Sequence, residues 1–209
     1  LYTIDSGWSS GPDNLVRVGR ITGPVGSPSW GLASGGGVGG GYFDVPDHLG
    51  VGDAPQLGGA GLIDNGDTRI SSPPVFRHGH IFFCFTGGFF SPARHGIIWG
   101  EVDPTSVGVT PVSTGVIQDV TVPYYYAYPS IAVNSDTNIV IGFSGFSTGT
   151  YAGAYFTGRH SSDPAGEMQP VQQLKAGEDY YYKTFGSGRN RWGDFSYTCL
   201  DPMDDTVFW

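Results

Sequence analysis

The feature that most constrains this chain is a unit that recurs along it: a short strand, a tight polar turn and a more apolar strand. It runs Pro74-Val75-Phe76-Arg77-His78-Gly79-His80-Ile81-Phe82-Phe83-Cys84-Phe85 in its first copy. It returns as Pro129-Ser130-Ile131-Ala132-Val133, the turn 134–138 and Ile139-Val140-Ile141-Gly142-Phe143. A third copy opens at Gly193-Asp194-Phe195-Ser196-Tyr197-Thr198-Cys199 and closes at Thr206-Val207-Phe208-Trp209. The copies start about 55 to 65 residues apart, a spacing that belongs to arrays of antiparallel sheets in which one unit cannot bury its faces alone.

The first two copies continue alike. After the first come Ile97-Ile98-Trp99-Gly100-Glu101-Val102 and the run 109–117; after the second come Ala154-Tyr155-Phe156-Thr157 and 171–174. Four strands per repeat is the blade of a β-propeller. Blades pack face to face, so their strands are buried on both sides, and unbroken apolar runs such as IFFCF suit that better than strict alternation. The expected fold is therefore all-β, a β-propeller or partial propeller of four-stranded antiparallel blades. It is one domain over 1–209, with repeat units about 73–118, 129–176 and 193–209. Residues 15–40 read as outer strands of an atypical blade. The one stretch with helical flavour, 167–175, carries Pro170 and reads instead as a strand over 171–174.

About three blades fall short of the four to eight of a closed ring. The expectation is either a longer chain or copies that associate to complete the ring, a homo-oligomer.

Composition narrows the function classes. Charged residues are 14% of the chain, aromatics 14%, Gly 35 of 209, and the formal net charge is -9. Disordered chains are poor in aromatics and rich in charge, and long helical bundles need Ala, Glu, Lys and Leu. Few cations on an acidic chain argue against nucleic acid, whose phosphates are gripped by Lys and Arg. No apolar run approaches the roughly 18 residues of a spanning helix. Scarce Lys with abundant Gly and Tyr suits a secreted, extracellular β-protein. Cys84 and Cys199 read as two buried thiols or, if their strands face each other, as a disulfide.

Arg191-Trp192-Gly193-Asp194-Phe195-Ser196, followed by Asp201-Pro202 and Phe208-Trp209, resembles a segment common in secreted bacterial propeller-like proteins. Arg20-Ile21-Thr22-Gly23-Pro24, Asp53-Ala54-Pro55-Gln56-Leu57-Gly58, Tyr128-Pro129-Ser130 and Lys175-Ala176-Gly177-Glu178 extend the resemblance over nearly the whole chain. Some of those proteins are labelled sialidase-like, which is a likeness of fold and not of chemistry. The sialidase pattern is poorly met. Its S-x-D-x-G-x-x-W turn corresponds here to Asn134-Ser135-Asp136-Thr137-Asn138, with Asn in the place of Gly and no following Trp. No spacing among the arginines marks a carboxylate-binding triad.

Among candidate site residues, Arg191, Trp192 and Asp194 place a cation, an aromatic and a carboxylate at the start of an inner strand. They suit a carboxylate- or sugar-binding site, or alternatively an Arg–Asp pair that fixes packing. Tyr180, Tyr181 and Tyr182, like Tyr124, Tyr125 and Tyr126, offer area with polar tips for a carbohydrate or protein ligand, or pack between blades. Ser34 to Gly41 contains a G-x-G-x-x-G match, but no helix follows to make it a dinucleotide site. His78 and His80 flank a turn with no third metal ligand. Asp201, Asp204 and Asp205 offer Ca²⁺ oxygen ligands without the EF-hand spacing. The expectation is no cofactor and no catalytic constellation: a secreted β-propeller module that binds a ligand or partner or forms a surface assembly, with a sialidase-like glycoside hydrolase as the alternative.

Overall fold

The computed structural model describes residues 1–6, 13–33, 41–59, 61–91, 93–105, 109–121, 124–186 and 188–209. The G-x-G-x-x-G stretch, except for Gly41, lies outside them. The described residues contain twelve strands and no helix. The fold is all-β and its strands pair antiparallel, with one exception noted below.

The first four strands form a sheet of their own: β1 (Tyr2–Ser6), β2 (Asp13–Thr22), β3 (Ser29–Leu32) and β4 (Tyr42–His48). The long β2 is its spine. It pairs β1 along one edge, while β3 and β4 share its other edge, each taking one half. The N-terminal region thus builds a complete four-stranded sheet rather than the outer strands of an unfinished blade. One ten-residue strand rich in β-branched residues is long enough to hold two short partners end to end.

The next eight strands make two consecutive meanders. The first is β5 (Val75–Arg77), β6 (His80–Phe90), β7 (Ala93–Asp103) and β8 (Thr110–Ile117). The second is β9 (Tyr125–Val133), β10 (Ile139–Ser147), β11 (Thr150–Arg159) and β12 (Gln172–Lys175). They touch edge to edge at a single parallel pairing, His95 with Tyr125. β5 and β6 are joined by a two-residue turn with positive φ at both His78 (52°) and Gly79 (84°). That is the handedness a tight hairpin requires, and it is what the H-G-H sequence does here.

The apolar runs explain the stacking. Along β6, Ile81, Phe83 and Phe85 face the N-terminal sheet and join Val16, Val18, Phe43 and Val45 in one core. The intervening Phe82 and Cys84 face the other way and pack with Ile131, Ile139, Ile141 and Phe143 of the second meander. The first meander is therefore the middle layer of three, which is why IFFCF shows no polar face. Each such aromatic contributes about 1.5–3 kcal/mol on burial. Gly115 on β8 shows how tight the layers are: a Cβ there would stand 2.2 Å from the Gly166 carbonyl oxygen and 2.8 Å from the Trp99 ring nitrogen.

The polar turns are tied by side chains. Asn134 Oδ1 accepts from the backbone N–H groups of Asp136 (3.1 Å) and Asn138 (2.8 Å). Asn134, not Asp136, closes the β9–β10 turn, because the first turn position is the one whose short side chain reaches the N–H groups two and four residues on. In the C-terminal segment, residues 199–209 fold back as a small hairpin with a Leu200–Phe208 bridge. Asp201 accepts from the N–H groups of Met203 and Asp204 and from the Trp209 indole, which holds its carboxyl below the usual range. Asp205 binds Ser135 N–H (2.5 Å) and Arg77 (2.9 Å), clipping this hairpin onto both meanders. The acidic run thus serves as turn and clip, and among the described residues no group of three or more His, Cys, Asp or Glu is gathered for a metal. Cys84 and Cys199 are both free thiols; Cys84 is buried and Cys199 only partly so.

Candidate ligand cleft

Three stretches enclose a cleft of about 400 Å³ against the middle of β6 and β9. One wall is the run 65–72 leading into β5, the second is the Tyr128–Pro129 corner of β9, and the third is the segment 191–195; Cys84 and Thr86 of β6 form its floor. The backbone brings the walls together. Asp64 N–H donates to the Asn190 carbonyl (2.9 Å), and Asp64 pairs with Arg191 as an isolated parallel bridge. This lays 189–194 beside 64–67.

Tyr128 is the hinge of the site. It adopts φ 54° immediately before Pro129, where the register of β9 against β10 shifts. A bulky residue in the left-handed region costs about 1–3 kcal/mol and persists only where its surroundings hold it. Here they do: its hydroxyl donates to the Asp64 carbonyl (2.5 Å), and its own carbonyl accepts from the Ser196 hydroxyl (2.6 Å). Burial, reinforced by the Asp64 charge, pushes its hydroxyl pKa up, so it stays protonated at any physiological pH.

Charge at the cleft comes in pairs. Asp67 takes the Arg69 Nε (2.7 Å), its Nη2 and its backbone N–H (2.9 Å), and this holds the Asp67 carboxyl below its ordinary value. Arg191 Nη2 donates to Asp194, which raises the Arg191 pKa further. Arg189 pairs with Asp64. Three guanidinium groups thus meet three carboxylates. Behind this wall, Asn65 is buried with its side-chain amide 2.8 Å from His95 Nδ1, and His95 Nε2 accepts from Gly52 N–H (3.2 Å). Cys84 on the floor is a buried thiol whose pKa is pushed up by desolvation, which disfavours the reactive thiolate.

The residues singled out from sequence divide. Arg191 and Asp194 line the cleft as an ion pair about half exposed, so the pair is not a buried packing device. Trp192, between them, turns to the opposite side. Its ring meets Phe146 (5.6 Å) and Tyr181 (4.9 Å) edge-on, and its indole N–H donates to Ser144 Oγ (3.0 Å). Tyr181 is held by Gln56, which accepts from its N–H and donates to its carbonyl, both at 2.7 Å. Tyr180 lies over Gly58 and Tyr182 over Gly61, both well exposed and away from the cleft. Tyr124 and Tyr126 stack at 5.5 Å beside Tyr155 in a separate groove. Sequence reading passed over Asn65, Asp67, Arg69 and Tyr128 as site residues. The signal for the first three was the D-N-G-D-T-R run, a dense patch of turn and charge in a chain where charge is sparse.

Fold and cleft together define an all-β protein of stacked antiparallel sheets with a charge-paired cleft against the middle of β6 and β9. No family model, curated protein or solved structure matches the chain.

Proposed function

We propose that this chain is a β-propeller module, exported from the cell and related to the secreted bacterial propeller-like proteins it resembles, which binds a small ligand through the Arg191–Asp194 cleft. The observation that carries the reading is the meeting of Arg191 and Asp194 with Arg69, Asp67 and Tyr128 around one cavity beside β9, the first strand of its meander. Pockets of about 300–1,000 Å³ with a few convergent polar groups are the usual form of small-molecule sites. Two successive four-stranded meanders stacked face to face support the propeller architecture.

The test is a titration of the isotopically labelled chain with pools of oligosaccharides and of peptides, followed by amide NMR. The amides of Asn65, Arg69, Arg191, Asp194 and Phe195 are expected to shift. Shifts confined to the Tyr124–Tyr126 groove would overturn the assignment of the site.

A second reading, the sialidase-like hydrolase, draws on the gathering of Arg69, Arg189 and Arg191. Against it stands Tyr128, the aromatic hydroxyl of the cleft, whose pKa moves away from that of a nucleophile. In the same sample, a fluorogenic N-acetylneuraminide is expected to remain intact. Release that disappears in Tyr128→Phe would favour the hydrolase.

Closure of the ring between copies is part of the proposal. Tyr197, Met203 and Trp209, on the segment after β12 and outside the cleft lining, are each at least 70% exposed. Such apolar residues on one segment suit an interface. Light scattering is expected to give a native mass near twice 22.2 kDa; a value of 22.2 kDa would set dimeric closure aside.

A further inference from the structure

Resting on the reading of the cleft as a ligand site, we propose that its ligand is a neutral sugar bound through vicinal hydroxyls, and not an acidic one. Three observations lead there.

First, each guanidinium that lines the cleft already has a carboxylate of its own: Arg69 has Asp67 and Arg191 has Asp194, and outside the lining Arg189 has Asp64. An anionic ligand would have to displace a resident carboxylate and leave it facing the newcomer at close range. A neutral diol has no such conflict. Each hydroxyl both donates and accepts, so adjacent hydroxyls can bridge an Arg donor and an Asp acceptor that already sit side by side. Of the remaining lining, Ser71 presents an exposed hydroxyl, while the buried Ser72 hydroxyl is held by the Pro129 carbonyl and the Asn65 amide by His95.

Second, the chain carries a net charge of -9, and this field opposes the approach of any anion.

Third, Phe195 stands at the rim next to Asp194 with 73% of its surface exposed. An aromatic face left open beside polar donors and acceptors is the platform on which the apolar C–H face of a pyranose stacks. An extended acidic chain would make no use of it.

The experiment is an amide NMR titration with methyl glucoside, methyl mannoside and N-acetylglucosamine as neutral probes, and glucuronic and N-acetylneuraminic acid as acidic ones. At least one neutral probe is expected to shift the Arg191, Asp194 and Phe195 amides, with the acids at least tenfold weaker. Asp194→Asn removes the resident charge from Arg191, and should weaken the neutral probe about tenfold while strengthening the acids. Phe195→Ala alters an exposed side chain that the fold does not need, and should weaken the neutral probe several-fold. Acids that bind more tightly than every neutral probe would overturn this inference and leave the cleft a ligand site. Neutral binding unmoved by both variants would overturn it as well. If no sugar of either kind shifts the cleft, the inference falls, and the broader reading rests on the peptide arm of its own test.

Discussion

Replacing Trp99 with Ala should destabilise the protein by about 4 kcal/mol, measured by urea unfolding at neutral pH. Trp99 is 0% exposed, on β7 of the middle layer, and points into the core shared with the second meander. The Arg159 guanidinium of β11 lies 5.5 Å above its ring, so the indole also shields a buried cation. Truncation leaves a large cavity in the core between the two meanders, and it strips Arg159 of its aromatic cover. A loss of that size is a large share of the roughly 5–15 kcal/mol that holds a domain together. Trp30→Ala is the comparison, since that ring is 55% exposed on the N-terminal sheet and should cost far less. A Trp99→Ala loss below about 1 kcal/mol would mean that the two meanders are not held by a packed core.

Acid should weaken the fold well before the carboxylates titrate. His95 is buried where the two meanders touch, edge-on to Tyr125 at 4.9 Å, with Asn65 and Gly52 N–H on its two ring nitrogens. Desolvation lowers its pKa from 6.5 to about 4. The unfolded chain therefore binds a proton that the folded chain refuses. The stability His95 contributes is complete above pH 6.5 and is lost as the pH falls toward 4. The full difference corresponds to about 3 kcal/mol. The carboxylates of Asp67, Asp163, Asp201, Asp204 and Asp205 have lowered pKa values, so their contribution fades only below that window. Unfolding free energy measured from pH 7 to pH 4 should slope downward in the wild type and clearly less in His95→Gln. Equal slopes would show that His95 is not the group responsible.

Much of the architecture was legible because burial writes a pattern into strands. The run Ile81-Phe82-Phe83-Cys84-Phe85 has no polar position, and a strand of that kind needs apolar neighbours on both faces; Phe82 and Phe83 find them in different layers. Pro170 kept 167–175 from being a helix, and β12 lies at 172–175. The N-terminal sheet was harder to read. That one strand, β2, would host β3 and β4 on the same edge depends on pairings between distant residues that no local pattern records. The cleft was half legible. Arg191 and Asp194 stand three apart in sequence and pair in space, and the same short reach makes the Asp67–Arg69 clip. Trp192 was misleading for a simple geometric reason: neighbours along an extended chain point to opposite sides, so a tryptophan between two cleft residues faces the core.

The sequence by itself determined that this is an all-β chain, where the apolar strands of its two meanders fall, and where tight polar turns join them, because each of these depends on residues within one strand or one turn. Only the tertiary structure decided that 65–72 and 191–195, more than a hundred residues apart, form one cleft. It also decided that Tyr128 is held at a positive φ between them, and that every arginine there has its own carboxylate. Those are outcomes of long-range packing, in which a hydrogen bond from Tyr128 to Asp64 or from Ser196 to Tyr128 has no counterpart in local sequence.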